Sequence, residues 1–148
     1  MTIRVQREDF DIAAEIDALK RASNATGCVV TFTGVVRDDG GLSSLALEHY
    51  PGMTEREIGK HVAEAKSRWP LIGLTVIHRI GTLRVGDNIV LVAVTSIHRQ
   101  AAFAAAEFLM DYLKTRAPFW KQEQHGHASK WVNSREQDRE AAIRWLKD

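Results

Sequence analysis

The stretch of the chain richest in chemistry runs from Met110 to Glu123 and reads MDYLKTRAPFWKQE. It sets Lys114 and Lys121 on either side of Pro118, with Phe119 and Trp120 between. Proline breaks helical hydrogen bonding and turns the chain, so both ammonium groups are expected to face one hollow with aromatic walls. A lysine among apolar walls, or beside another cation, has a lowered pKa and becomes usable as an acid, base or nucleophile. Cations also collect at helix C-termini simply to complement the dipole. Residue types alone leave both accounts open, and Arg116 in the same stretch reads as a solvated helix-end charge.

Other residues invite the same weighing. His98 and Arg99 stand where an apolar run gives way to a helical pattern. Helix N-termini attract anions through free N–H groups, yet a cation there opposes the dipole; such local conflicts tend to mark sites. Arg37 follows the strand-like VVTFTGVVR, in which Gly34 leaves room for a ligand to approach. Cys28 reads as a small buried residue, since nothing nearby lowers a thiol pKa. His125-Gly126-His127 reads as a turn, because no third ligand accompanies it and no metal is expected. His49, His61 and His78 sit in strand or helix patterns and read as packed or surface side chains.

Composition limits the classes. The chain has 148 residues, 45% hydrophobic and 26% charged, with a formal net charge of +1. That suits one soluble domain spanning 1–148 and argues against bulk electrostatic coating of nucleic acid. A single cysteine allows no disulfide framework and no multi-cysteine zinc site. The expectation is a reducing compartment, with no signal segment in MTIRVQREDF and no membrane span, hence the cytoplasm.

These side chains need elements to hold them. TIRVQ reads as a short strand, and DFDIAAEIDALKRAS as a helix carrying Ile12, Ile16 and Leu19 on one face. GCVVTFTGVVR and LSSLALEHY read as paired strands around the turn DDGG. PGMTEREIGKHVAEAKSRWP reads as a helix with a capping box of Thr54 and Glu57 and a staple from Met53 to Ile58. Its inner face is Ile58, Val62, Ala65 and Trp69, and Pro70 stops it. LIGLTVIHRI and NIVLVAVTSI read as strands joined by GTLRVGD, the second buried on both faces. HRQAAFAAAEFLMDYLKTRA is a helix apolar nearly all round, central or at an interface. FWKQEQ and KWV form a last strand pair. Ser134 and Gln137 cap a final helix with Ala141, Ala142 and Trp145 inward. The order hairpin, helix, repeated, favours α+β with a largely antiparallel sheet.

His98 and Lys114 bracket one helix. At about 1.5 Å per residue they stand on the order of 24 Å apart. One phosphate-sized ligand does not touch both within a subunit. The spacing therefore predicts a two-fold dimer in which one subunit brings His98 and Arg99 to the other's lysines.

Taken in order, VVTFTGVVR, LEHYPGMTE, RWPL, VIHRIG, HRQAAF and MDYLKTRAPFWK resemble the large, catalytic subunit of molybdopterin synthase, the MoaE family, from about Gly27 to Trp145. The resemblance implies a hammerhead-like α+β fold and a sulfurtransferase of molybdenum cofactor biosynthesis. Such an enzyme installs the dithiolene sulfurs in cyclic pyranopterin monophosphate. It implies a small ubiquitin-like partner whose C-terminal Gly-Gly thiocarboxylate delivers the sulfur, and a heterotetramer built on a large-subunit homodimer. No metal or cofactor is implied. The family's essential lysines fall on Lys114 and Lys121. Its anion-contacting groups fall on Arg37, His98 and Arg99, and pocket-edge positions on Gln122 and Glu123. Val35 and Gln122 stand where relatives often carry lysine and arginine, and the turn at 124–129 diverges. A rival class is a non-catalytic module binding single-stranded nucleic acid through interleaved aromatics and cations, against which the near-zero net charge counts. A docking scaffold for the small partner is a third.

Overall fold

The computed structural model describes residues 1–126 and 128–146; the expected turn role of His127 lies outside the described residues. The elements run β1 (Thr2–Gln6), α1 (Ile12–Arg21), β2 (Cys28–Val35), β3 (Ser44–His49), α2 (Met53–Arg68), β4 (Gly73–Arg79), β5 (Gly81–Arg84), β6 (Asn88–Ser96), α3 (Arg99–Thr115), β7 (Phe119–His125), β8 (Ala128–Trp131) and α4 (Glu136–Ile143). A short 3₁₀ turn, Arg144–Leu146, follows.

The strands form two four-stranded sheets, ordered β1-β4-β6-β2 and β5-β3-β7-β8. Every pairing is antiparallel except β1 with β4. The expected α+β class with largely antiparallel pairing is what the chain adopts. The β-branched run of β6 is buried on both faces, as its unbroken apolarity requires. Val90, Val92 and Val94 point toward α3, together with Leu74 and Val76 of β4 and Ile58, Val62 and Ala65 of α2. Leu91 and Ile77 point the other way and pack on Phe10. The period-two alternation of a strand thus feeds two cores from one sheet.

Helix α3 is central. Its small residues Ala102 and Ala105 are fully buried, and Phe108 and Leu109 fill the core beside them. Burying each such large side chain contributes about 1.5–3 kcal/mol. The docking of the C-terminus adds polar ties. Asp111 accepts from the Trp145 indole N–H at 2.6 Å and from Arg144 at 2.9 Å. Trp145 stands edge-on to Trp69 and Phe108.

Several local expectations are corrected. β2 and β3 do not pair: β2 pairs with β6, while β3 pairs with β5 and β7. The residues between them, 36–43, carry the chain from one sheet to the other. Leu45 and Leu47 bury against Val36 and Leu83 in a separate small core. Nor is GTLRVGD merely a connector, because Gly81–Arg84 is a strand of the second sheet. The chain changes sheets at Ile80, and Gly81 makes that corner at φ 89°, a conformation that L side chains resist.

α2 begins two residues earlier than its expected capping box implies. Gly52 is the N-cap, and the Glu55 carboxylate accepts its N–H at 2.7 Å. Met53 is the first helical residue and stays exposed, so it makes no staple. Glu57 pairs with Lys60 instead. Thr54 turns inward, where its hydroxyl accepts the Tyr50 N–H and donates to the Pro118 carbonyl, both at 3.0 Å. α4 starts after Arg135, without a side-chain cap. Ser134 instead accepts from Arg139 at 3.0 Å, and Gln137 accepts from Arg135 at 3.0 Å.

Candidate active site

The reversal at Pro118 is built from backbone bonds. The N–H groups of Arg116 and Ala117 both return to the Tyr112 carbonyl, closing α3, and Phe119 donates to Ala117 at 2.8 Å. Thr54 holds the Pro118 carbonyl from the α2 side. The chain then enters β7, where Phe119 and Lys121 share one face because strand side chains alternate. Lys121 sits opposite Leu47 of β3.

The outcome is a cavity of about 920 Å³, lined by Lys114 from the last turn of α3 and by Lys121 from β7. Phe119 and Trp120 form aromatic wall, and Met110 and Leu113 line it from α3. Both lysines face one hollow, as the proline-centred spacing predicts. Burial holds the Lys121 ammonium below its ordinary pKa, with the Lys114 charge adding to the effect; Glu123 and Asp138 pull the other way. That environment makes a lysine a readier proton donor than one in open solvent.

The remaining sequence candidates lie apart from this cavity. Arg37 is past the end of β2, mostly exposed, and 3.8 Å from Asp39. His98 is the N-cap of α3 and Arg99 its first residue, both exposed, with no acid in the first turn and no side-chain cap. The α3 N-terminus is therefore open to an anion, at the opposite end of the helix from Lys114. Gln122 and Glu123 follow Lys121 on β7 without lining the cavity. Glu123 faces His125, at 3.3 Å.

Two residues of the opening stretch have other work. Tyr112 is buried against His61, with ring centroids 3.4 Å apart and planes 12° apart. Burial pushes its phenol up to about 12. Arg116 is more than a solvated charge, since its guanidinium sits over the Tyr112 ring, 5.9 Å from the centroid.

The structure adds residues that the sequence patterns do not single out. Trp131, Val132, Asn133, Ser134 and Arg139 close one side of the cavity. The Val132 N–H donates to the Lys121 carbonyl at 2.9 Å and so fixes that segment to β7. A helix cap and a strand end carry no signal that they will line a site. His78 also lines the cavity. Its ring stacks on Phe119 at 3.9 Å and 19°. Burial pushes its pKa down to about 4, opposed by the hydrogen bond to the Arg79 carbonyl, and the Lys114 and Lys121 charges add to the depression. A lone histidine in an apolar strand pattern looked like packing, and it is packed, but at the edge of the hollow.

The depressed His78 pKa has a consequence for stability. The unfolded chain takes up this proton near pH 6.5, while the folded chain refuses it until about pH 4. Stability is therefore present above 6.5 and lost as pH falls toward 4, by on the order of 3 kcal/mol. Urea unfolding at pH 7 and pH 4.5 should show a smaller loss in His78→Gln than in the parent chain. Equal losses would contradict the assignment.

Among the described residues no group of three or more His, Cys, Asp or Glu is placed to hold a metal ion. No helix of the described residues is long and apolar enough to cross a membrane.

Comparison with known proteins bears directly on this arrangement. The MoaE protein family matches residues 5–116. The molybdopterin synthase catalytic subunit of Mesorhizobium japonicum is 60% identical over 147 residues, covering 97% of this chain and 92% of that protein. Molybdopterin cofactor biosynthesis protein E from Burkholderia multivorans superposes with a TM-score of 0.86 at 48% identity, covering 99% of this chain and 97% of that one. A chain from the complex of subunits 1 and 2 of molybdopterin-converting factor from Helicobacter pylori has a TM-score of 0.74 over 91% of each chain; at 20% identity it shares the fold alone. The two-sheet fold, the lysine-bearing reversal after α3 and identity along nearly the whole length agree: the chain belongs to the MoaE family.

Proposed function

We propose that the chain, acting as one domain over 1–148, is the catalytic subunit of a molybdopterin synthase. It transfers sulfur from the C-terminal thiocarboxylate of a small ubiquitin-like protein to cyclic pyranopterin monophosphate, forming the dithiolene of molybdopterin. The observation that carries this proposal is the pair Lys114 and Lys121 in one cavity of a MoaE-family chain. The name shared by its relatives, catalytic subunit, supports a non-catalytic companion. The unpaired Cys28 suits a reducing compartment such as the cytoplasm.

The chemistry divides between the ends of the site. The thiocarboxylate sulfur forms a bond to a side-chain carbon of the pterin as a C–O bond at that carbon breaks. Water then cleaves the acyl C–S bond through a tetrahedral oxyanion, leaving the sulfur on the pterin and a carboxylate on the carrier. Lys114, in the last turn of α3, is assigned to polarise the incoming C-terminus. Lys121, less basic through burial, is assigned to proton transfer on the substrate. Arg37, His98 and Arg99 take the phosphate as cationic and N–H donors, with Gln122 and Glu123 at the pocket edge.

His98 and Arg99 reach such a site only from a second copy of the chain. Two features support a homodimer within a heterotetramer. β2 is an edge strand, a pairing surface in its own right. It carries exposed Phe32 and Val35, and Ile97 and Phe103 near the start of α3 are exposed as well, Phe103 at 60%.

The test is reconstitution. The chain is mixed with a thiocarboxylated small subunit and the cyclic precursor, and dithiolene is assayed. Product above the level without the chain is expected. Product formed equally well by the small subunit alone would remove the catalytic role.

A further inference from the structure

Of the polar side chains that line the cavity, His78 is the buried one, and the sulfur-transfer chemistry leaves it without a task. His78 is 7% exposed and lines the cavity. Its Nδ1 lies 2.8 Å from the Arg79 carbonyl oxygen. A carbonyl only accepts, so Nδ1 carries the proton and Nε2 of the neutral ring is an acceptor. Stacking on Phe119 fixes the plane of the ring. Strand β4 places His78 on the α3-facing side, in line with Leu74 and Val76, where the first sheet meets β7 of the second. Among the described residues, no donor within hydrogen-bonding distance reaches Nε2.

Nε2 is not among the shut-in polar atoms that lack a partner, so it stays open to the cavity while the rest of the ring is packed away. A packing role alone is filled equally well by an apolar ring. The neighbours sharpen the contrast, since Lys114 and Lys121 bring donors and positive charge while His78 brings a lone pair and no charge. A phosphate presents acceptors and is turned away by Nε2. A pterin ring presents amide and amino N–H groups and is not.

We propose that Nε2 of His78 binds an N–H donor of the substrate's heterocycle and so sets which end of the substrate enters this part of the cavity. The inference rests on the pterin substrate proposed above and adds a residue to its recognition. His78 is thus a specificity-determining contact: the lysine side of the cavity takes oxygens, and the histidine takes the donor edge of the ring.

Two substitutions separate this role from packing. Asparagine places its amide near Nδ1 and can keep the bond to the Arg79 carbonyl, but it has nothing at Nε2. Glutamine places its amide oxygen near Nε2. Affinity for the cyclic precursor is measured calorimetrically on the full chain, with urea midpoints to verify folding. His78→Asn should weaken binding tenfold or more, and His78→Gln should recover most of it. Equal affinity in both variants, or tighter binding by His78→Asn, overturns the proposal. A second arm uses the parent chain alone, with pterin and with a pterin whose ring N–H groups are methylated. The methylated probe should bind at least tenfold more weakly, and equal binding overturns the proposal without any variant. If the parent chain binds no precursor, the substrate assignment itself fails. If it binds and the variants do not differ, only the role of His78 fails.

Discussion

Lys114→Ala lowers dithiolene formation by at least about a hundredfold, the scale of losing a positioned acid–base or oxyanion-stabilising group. The fold survives the change. Lys114 makes no ion pair within 4 Å among the described residues, so its removal strands no buried partner. The structural loss is confined to a cation at a helix C-terminus, about 0.3–1 kcal/mol. Single-turnover assays with thiocarboxylated small subunit check the rate, and urea unfolding checks the fold. A folded variant with near-normal turnover would show that Lys114 binds the helix dipole and nothing more. Lys121 is a less simple target, because burial, the Lys114 charge and Glu123 all act on it.

The second large effect concerns the dimer. Arg99→Ala and Lys114→Ala homodimers should each be nearly inactive, since each lacks one half of every composite site. Mixing the two variants after subunit exchange restores activity. At equal amounts half of the dimers are mixed, and one of the two sites in each mixed dimer holds an intact Lys114 and an intact Arg99. Recovery to about one quarter of the parent activity follows from two-fold symmetry. Failure to recover, with exchange verified by mass spectrometry, would place His98 and Arg99 outside the reaction. A chain active as a monomer would do the same. The helix itself sets this prediction, because α3 is one continuous element from Arg99 to Thr115 with its two candidate sites at opposite ends.

What the sequence made legible was local. Lys114, Pro118 and Lys121 are close along the chain, so a helix end, a forced turn and a strand start were enough to bring both ammonium groups to one hollow. The unbroken apolarity of β6 and the alanine-rich α3 named the central layers for the same reason. Strand partners were not local. DDGG marks a change of direction, but Leu45 and Leu47 alternate identically whether β3 lies beside β2 or crosses to another sheet. Only the second small core, with Val36 and Leu83, decides it. Thr54 looked like a cap because it precedes a helix, and its task proved to be the Pro118 carbonyl, 64 residues away. His78 and the segment from Trp131 to Arg139 were missed for that reason as well. Their importance comes from the cavity that the two sheets and α3 enclose together, which no window of sequence contains.

The central claim is sulfur transfer on this chain, and its stoichiometry tests it most directly. A dithiolene holds two sulfurs and each carrier C-terminus brings one. The full chain is incubated with the cyclic precursor and a limiting amount of thiocarboxylated small subunit. Mass spectrometry counts the thiocarboxylate converted to carboxylate while the dithiolene product is quantified. Two thiocarboxylates consumed per dithiolene formed, with neither change in the absence of the chain, is the predicted result. Thiocarboxylate that is stable in the complete mixture, or lost without dithiolene, would contradict it.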